Sequence, residues 1–298
     1  MRIAITGGTG FVGRRLIAVA VGAGHEVTAL TRRSQFPRES VTWVDGALDD
    51  RGALVTLTEG ADVVIHVAGV VNAPDRAGFA AGNVEGTRAI LGAAHASGVA
   101  RLVHVSSLAA REPGLSDYGW SKAEAEQLVR ASPLAWMIVR PPAVYGPGDL
   151  EMRDMFRIAR LGLAFLPPPG RMSAIHVDDL ARLLLVLAER GEGGTSYEPD
   201  DGHHRTHAEF GSAIGRAVGR KVLAMHLPAP LLRLGAWIDG RLRGSGAKLT
   251  PDRVGYLIHP DWAATPMLRP PSALWQPQVA LAEGLAQTAA WYRAQGLL

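Results

Sequence analysis

Tyr118 and Lys122 stand four positions apart in the segment YGWSK. On a helix that spacing puts both side chains on one face. A free tyrosine titrates near pH ~10 and exchanges protons poorly at neutrality. A lysine ammonium beside it favours the phenolate, so the pair could give a proton to a carbonyl oxygen or take one from an alcohol. Ser107 precedes Tyr118 by eleven residues and closes the apolar run LVHVSS, where its hydroxyl would hold the same oxygen. Lys122 would in addition bind the ribose of a nicotinamide. The same spacing also suits an amphipathic helix with a packed tyrosine, so the glycines upstream matter.

Those glycines follow the first apolar run. Thr6-Gly7-Gly8-Thr9-Gly10-Phe11-Val12-Gly13 contains G-x-G-x-x-G at Gly8, Gly10 and Gly13, and G-x-x-G-x-x-G at Gly7, Gly10 and Gly13. Glycines allow a tight turn and let backbone approach a pyrophosphate, which the N-terminus of the following helix then receives. The next strand ends in Thr31-Arg32-Arg33. An NAD enzyme usually carries Asp or Glu there for the ribose 2′-OH, whereas a guanidinium suits a 2′-phosphate. NADP(H) is therefore the expected cofactor, with Arg32 the first candidate and Arg33 the second.

A set of this kind needs a frame that brings strand ends together. Ile3–Thr6, Glu26–Leu30, Asp62–Val67, Leu102–Ser106 and Met137–Arg140 read as strands; the β-branched runs lack polar alternation and suit parallel strands buried on both faces. Helical patterns such as Val12–Val21 separate them. Alternation of this kind implies an α/β fold, a Rossmann doubly wound parallel sheet. Prolines and glycines become dense after Pro147. The expected division is a dinucleotide-binding domain over 1–148, rejoined by 173–194 through a helix at His176–Arg190. A smaller, irregular substrate-side region then occupies 149–172 and 195–298.

The 298 residues, 47% hydrophobic and 20% charged, describe a globular chain. A net charge of +3 without a Lys/Arg block gives no reason to expect nucleic acid. With no cysteine, disulfides, thiolate metal sites and a cysteine nucleophile are excluded. HHRTH at His203–His207 lies in a polar stretch without matching carboxylates, and no metal is expected. His66, inside an apolar strand, reads as a packed core residue. No run of about 18 apolar residues and no leader pattern is read, so the expected location is cytoplasmic.

Taken together, these residues resemble the extended short-chain dehydrogenase/reductases, the NAD-dependent epimerase/dehydratase family, over nearly the whole chain. The resemblance implies a catalytic Ser107–Tyr118–Lys122 triad. It also implies a cofactor held by Gly7, Gly10, Phe11, Val12 and Gly13. Gly46-Ala47-Leu48-Asp49-Asp50 is similar to the family's G-D-L-x-D, where an acid meets the adenine; Ala47 departs from it, and Asp50 alone is carried over. Val67, Ala68 and Gly69 match the segment lining the cofactor after the fourth strand. Asn83-Val-Glu-Gly-Thr87 matches N-x-x-G-T, whose Asn has a structural or active-site role. Arg140–Gly148 (RPPAVYGPG) matches the segment approaching the nicotinamide, which implicates Pro141 and Val144. Asp178 in HVDDLA belongs to a further hallmark and is read as structural.

The family is wide. Ala143 stands where sugar-nucleotide members carry a diphosphate-binding Asn, and the insert between Ser107 and Tyr118 is short. Leu249–Trp262 (LTPDRVGYLIHPDW) resembles bacterial members of a complex-I accessory-subunit-like branch, some of which look like reductases of 3-keto lipids. The expected activity is interconversion of a ketone and a secondary alcohol on an apolar substrate such as a 3-keto lipid or steroid. A nucleotide-sugar epimerase or dehydratase, and a non-catalytic NADPH-binding accessory subunit, are the alternatives. Leu227–Leu242 is strongly apolar with arginines at 233 and 241. It could be a lipid-facing cover, a pocket wall or ordinary core, so peripheral membrane contact stays open, as does the choice between monomer and homodimer.

Overall fold

The computed structural model describes residues 1–298, the side chain of Ser245 excepted. The chain divides into two compact units: Met1–Arg140 with Leu180–Glu198 and Pro270–Trp275, and Pro141–Asp179 with Pro199–Arg269 and Gln276–Leu298.

The first unit is built from β1 (Arg2–Thr6), α1 (Phe11–Gly22), β2 (Glu26–Thr31), β3 (Val41–Asp45), α2 (Arg51–Thr58) and β4 (Val63–His66). A short α3 (Arg76–Phe79) runs through one wide turn at Ala80–Glu85 into α4 (Gly86–Ala96). Then come β5 (Arg101–Val105), α5 (Asp117–Arg130) and β6 (Ala135–Val139). The sheet has seven strands. Six of them take the order β6-β5-β4-β1-β2-β3, and a late strand at Thr195–Tyr197 adds beyond β6. Every pairing in it is parallel. This is the doubly wound order, with its switch point between β1 and β4.

Alternate strand residues serve opposite faces. Ala4, Val64, Leu102 and Ile138 form one core with Leu54 and Leu57 of α2, Ile90 of α4 and Val129 of α5. Their neighbours Ile3, Ile5, Val63, Ile65 and Val103 are equally buried. With both faces covered, the strands read as near-continuous apolar runs.

The second unit begins with β7 (Ala143–Tyr145), α6 (Arg153–Arg160), β8 (Leu163–Leu166), β9 (Arg171–Met172) and β10 (Ala174–His176). The long helix α7 (Val177–Arg190) passes into the first unit from Leu180 and leads to the edge strand, here β11. The remainder carries β12 (Arg205–Thr206), α8 (His207–Ala217), β13 (Leu223–His226), α9 (Ala229–Arg243), α10 (Pro251–Leu257), β14 (Asp261–Trp262) and α11 (Leu281–Ala294). Tyr145, Phe156, Phe210, Ile214, Leu285 and Tyr292 make its core.

Two expectations need correction. The boundary falls after Arg140 rather than at 148. The returning segment is Leu180–Glu198 rather than 173–194, and it extends past 194 because Thr195–Tyr197 pairs with Met137–Val139 of β6. The late segment is also more regular than its prolines suggest. In α8, for example, Thr206 accepts from the Glu209 N–H while the Glu209 side chain accepts from the Thr206 N–H, a complete capping box.

Candidate active site

The glycine loop sits at the switch point. Thr6 and His66 are register partners, so the loops leaving β1 and β4 run side by side. Gly7 has a left-handed φ of +72°, and a Cβ there would lie 2.7 Å from the Ala68 nitrogen. A Cβ on Gly13 would lie 2.1 Å from the Gly7 carbonyl oxygen. Only glycine lets the loop fold back on itself so tightly. Gly10 caps α1 without any side-chain hydrogen bond, so among the described residues no side-chain cap occupies the N-terminus of that helix. Phe11 and Val12 open that helix and are half-buried. These features fit a pyrophosphate at the helix N-terminus.

Around this loop, Val67 and Ala68 are half-buried and Gly69 is exposed. Ala68 N–H donates to the Thr6 hydroxyl, which ties the two loops together (3.2 Å). Arg32 and Arg33 follow β2 and are both exposed. No acid pairs with either guanidinium among the described residues. The Thr31 hydroxyl donates to the Arg33 carbonyl (2.6 Å) and shapes the turn that presents them. Asp50 is the N-cap of α2, accepting from the Ala53 N–H at 3.0 Å. Pro141 and Val144 lie in the second unit, Pro141 at its start and Val144 on β7.

The proposed triad is assembled by β5 and α5. Ser107 follows β5 and caps a short 3₁₀ turn, accepting from the Ala109 N–H at 3.2 Å. Ser116 caps α5 by accepting from the Gly119 N–H at 2.9 Å. A Cβ on Gly119 would lie 2.7 Å from the Ala109 carbonyl oxygen. The glycine beside Tyr118 therefore lets the first turn of α5 press directly on the turn that follows Ser107. Tyr118 is half-buried, its ring 6.1 Å from that of Phe79.

One turn on, Lys122 is buried and donates to the Val105 carbonyl at 2.8 Å. A Cβ on Gly69 would lie 3.6 Å from Nζ and 3.1 Å from Asn83 Oδ1, so the amine sits under the loop after β4. Asn83 pins that loop by accepting from Val70 N–H (2.7 Å) and donating to the Val70 carbonyl (2.9 Å) and Ser121 hydroxyl (2.8 Å). Burial pulls the Lys122 ammonium down to about 8, and the Glu126 carboxylate resists that fall.

Glu126 had no place in the sequence expectation. It extends the series Tyr118, Lys122, Glu126 by one more helical turn, a four-residue repeat that was open to reading. It accepts from the Ser106 hydroxyl (2.6 Å) and takes a two-pronged bond from Arg140 (2.7 and 2.6 Å). Arg140 also reaches Glu198 (3.4 Å), which Arg111 meets from another side (3.3 Å). Burial favours the protonated Glu126, but the Arg140 hydrogen bonds and charge, with Ser106 and Arg130, outweigh it and hold the carboxyl below its usual range.

His66 is buried as expected, bonded to the Thr6 hydroxyl (2.6 Å) and the Thr87 hydroxyl (3.1 Å). The structure adds His104 on the neighbouring strand, stacked on it at 5.3 Å. Burial first, then the nearby Lys122 charge, lowers His66 to about 3 and His104 well below its ordinary value. Both are neutral at pH 7. His204 lies 3.5 Å from Asp200, which also accepts from Arg269.

Comparison with known proteins agrees with this frame. The sequence profile of the NAD dependent epimerase/dehydratase family matches residues 3–199. The ceramide reductase of Caulobacter vibrioides (strain NA1000 / CB15N) is 39% identical over 311 aligned residues, covering 99% of this chain and 96% of its own. The 2-alkyl-3-oxoalkanoate reductase of Stenotrophomonas maltophilia (strain K279a) is 29% identical, covering 96% and 97%. Among solved structures, the dTDP-glucose 4,6-dehydratase of Streptomyces venezuelae, solved with NAD bound, superposes with a TM-score of 0.76. It is 22% identical, with 99% of this chain and 97% of that one covered, and it speaks for the fold. From its glycine loop to its seven-stranded sheet, the chain belongs to the NAD-dependent epimerase/dehydratase family, the extended short-chain dehydrogenase/reductases.

Proposed function

We propose that the protein is an NADP(H)-dependent reductase that interconverts a ketone and a secondary alcohol on an apolar, lipid-like substrate, such as a 3-keto lipid. The observation that carries this reading is the buried Lys122 ammonium, one helical turn from Tyr118 and under the Gly69 loop, with Ser107 held beside the same turn. Two relatives matched over almost their full length are named as reductases, one of ceramide and one of 2-alkyl-3-oxoalkanoate.

When bound, the nicotinamide supplies the hydride that reaches the carbonyl carbon. Ser107 donates a hydrogen bond to the carbonyl oxygen and orients it. Tyr118 gives that oxygen its phenolic proton, and the Lys122 charge stabilises the phenolate left behind. Lys122 has further N–H donors beyond the one spent on Val105, and these would meet the nicotinamide ribose. Gly7, Gly10, Phe11, Val12 and Gly13 would hold the pyrophosphate, and Val67–Gly69 would line the cofactor's path. Arg32, with Arg33, would take the 2′-phosphate as a fork. Asp50, Pro141 and Val144 remain proposed cofactor neighbours. The need for reduced NADP agrees with the cytoplasmic expectation.

The test is NADPH oxidation against long-chain 3-keto lipids in micelles, steroids and UDP-sugars. Turnover of an apolar ketone is expected, lost by at least about a thousandfold in Tyr118→Phe with NADPH binding kept. Arg32→Ala should raise KM for NADPH by about tenfold or more and leave NADH little changed. Tight NADPH binding with no ketone consumed would instead favour an epimerase that retains its cofactor, or an accessory subunit.

A further inference from the structure

The second unit carries an amphipathic helix whose apolar side faces outward. In α9, Leu232 and Ala236 are buried against Val254 of α10, with Leu227, Leu249 and Ile258 packed around them. Leu231, Leu234, Trp237, Ile238 and Leu242 are not part of that core; their exposure runs from 43% to 79%. Successive residues on a helix are offset by about 100°. Leu231, Leu234, Ile238 and Leu242 therefore form one stripe along α9, with Trp237 at its margin. Scattered exposed apolar residues need no explanation, but five large ones on a single helix face do. Ordinary core packing accounts for the Leu227, Leu232 and Ala236 face of Leu227–Leu242 and leaves this stripe unaccounted for.

The charges around the stripe have one sign. On the same offset Arg241 falls between Leu234 and Trp237, Arg233 lies just beyond Trp237 on that side, and Arg243 ends the helix. The Arg241 guanidinium stacks on the Trp237 ring at 4.3 Å from its centre. The one acid of the helix, Asp239, is turned away: its carboxylate accepts the backbone N–H groups of Lys248 (2.8 Å) and Leu249 (2.9 Å) and pairs with Arg243 (3.2 Å). Leucines with a boundary tryptophan and flanking arginines match the water–lipid boundary of an anionic membrane. There the apolar stripe sinks among acyl chains and the guanidinium groups meet phosphates. A second copy of this chain fits less well, because a two-fold pairing of α9 would bring arginines of both helices together without acids to answer them.

We propose that α9 is a membrane-docking helix that binds the protein peripherally to anionic lipid surfaces. The helix has 15 residues and lies along the interface rather than across it; among the described residues no helix is long and apolar enough to cross a membrane. Its value to a keto-lipid reductase, access to a substrate resident in the bilayer, rests on the function proposed above. The docking itself does not, and it is tested without substrate or cofactor.

The full-length protein is mixed with vesicles of phosphatidylcholine alone or with about a third phosphatidylglycerol, and bound protein is separated by flotation at low and high salt. Binding to the anionic vesicles is expected, weakened by salt. Leu234→Gln with Ile238→Gln should lower it by about tenfold or more. Arg233→Gln with Arg241→Gln should remove the preference for phosphatidylglycerol. All four positions are exposed, so unchanged circular dichroism and an unchanged thermal unfolding midpoint should accompany the loss. Bromine-labelled lipid should quench wild-type fluorescence more than that of Trp237→Phe. Wild-type protein that stays unbound on both vesicles, or variants that bind as well as wild type, would overturn the proposal. So would a stripe-dependent dimer without vesicle binding, which would assign the face to a second copy.

Discussion

At the scale of the residue, the proposed chemistry turns on the charge of Lys122. Below about pH 8 the amine is charged and can stabilise the Tyr118 phenolate; above it the charge is lost. Reductase kcat should therefore fall on the alkaline side with a midpoint near that value. Glu126 holds the amine up, so Glu126→Gln should move the alkaline limb to lower pH, a shift that simple loosening of the fold would not give. An unmoved limb, read from initial rates across pH 6 to 10, would deny Glu126 this positioning role. The proposed triad is legible in the sequence because Tyr118, Lys122 and Ser107 keep fixed spacings around one strand and one helix. Glu126 was less legible, since its partner Arg140 becomes a neighbour only when β5 and β6 pair.

Elements explain what the residues alone do not. The neutral pair His66–His104 exists because β4 and β5 bring positions 66 and 104 into register. Neither His104 nitrogen has a hydrogen-bond partner among the described residues. Both pKa values are depressed on folding, so the unfolded chain binds more protons below about pH 6.5 and stability falls as the pH drops from there. His104→Phe should flatten that decline, measured as urea stability between pH 7 and 4.5 against wild type. An equally steep decline in the variant would clear His104 of the effect. The strand pattern was readable because buried parallel strands are continuously apolar. The late helices were obscured by prolines, which in α9 and α10 sit in the first turn, where a helix tolerates them.

Across the whole molecule, the first unit is stitched from segments distant in sequence. Glu198, with no side-chain exposure, ends the segment that contributes β11, and it receives Arg140 and Arg111. Removing one partner from buried ion pairs typically costs about 3 kcal/mol or more. Glu198→Gln should lower unfolding stability by that order and leave cofactor selectivity unchanged; a loss under about 0.5 kcal/mol would show that solvent already satisfies the arginines. The unit boundaries were the least legible feature, because nothing local in Thr195–Tyr197 announces that it pairs with β6.

That late strand also sets a timetable for synthesis. When a ribosome has released residues up to Arg140, six strands can pair, yet the open edge of β6 awaits a segment not yet made. The nascent sheet must hold an unpaired parallel edge while some forty residues of the second unit emerge first. An interrupted chain of this kind is most exposed to edge-to-edge association in that interval.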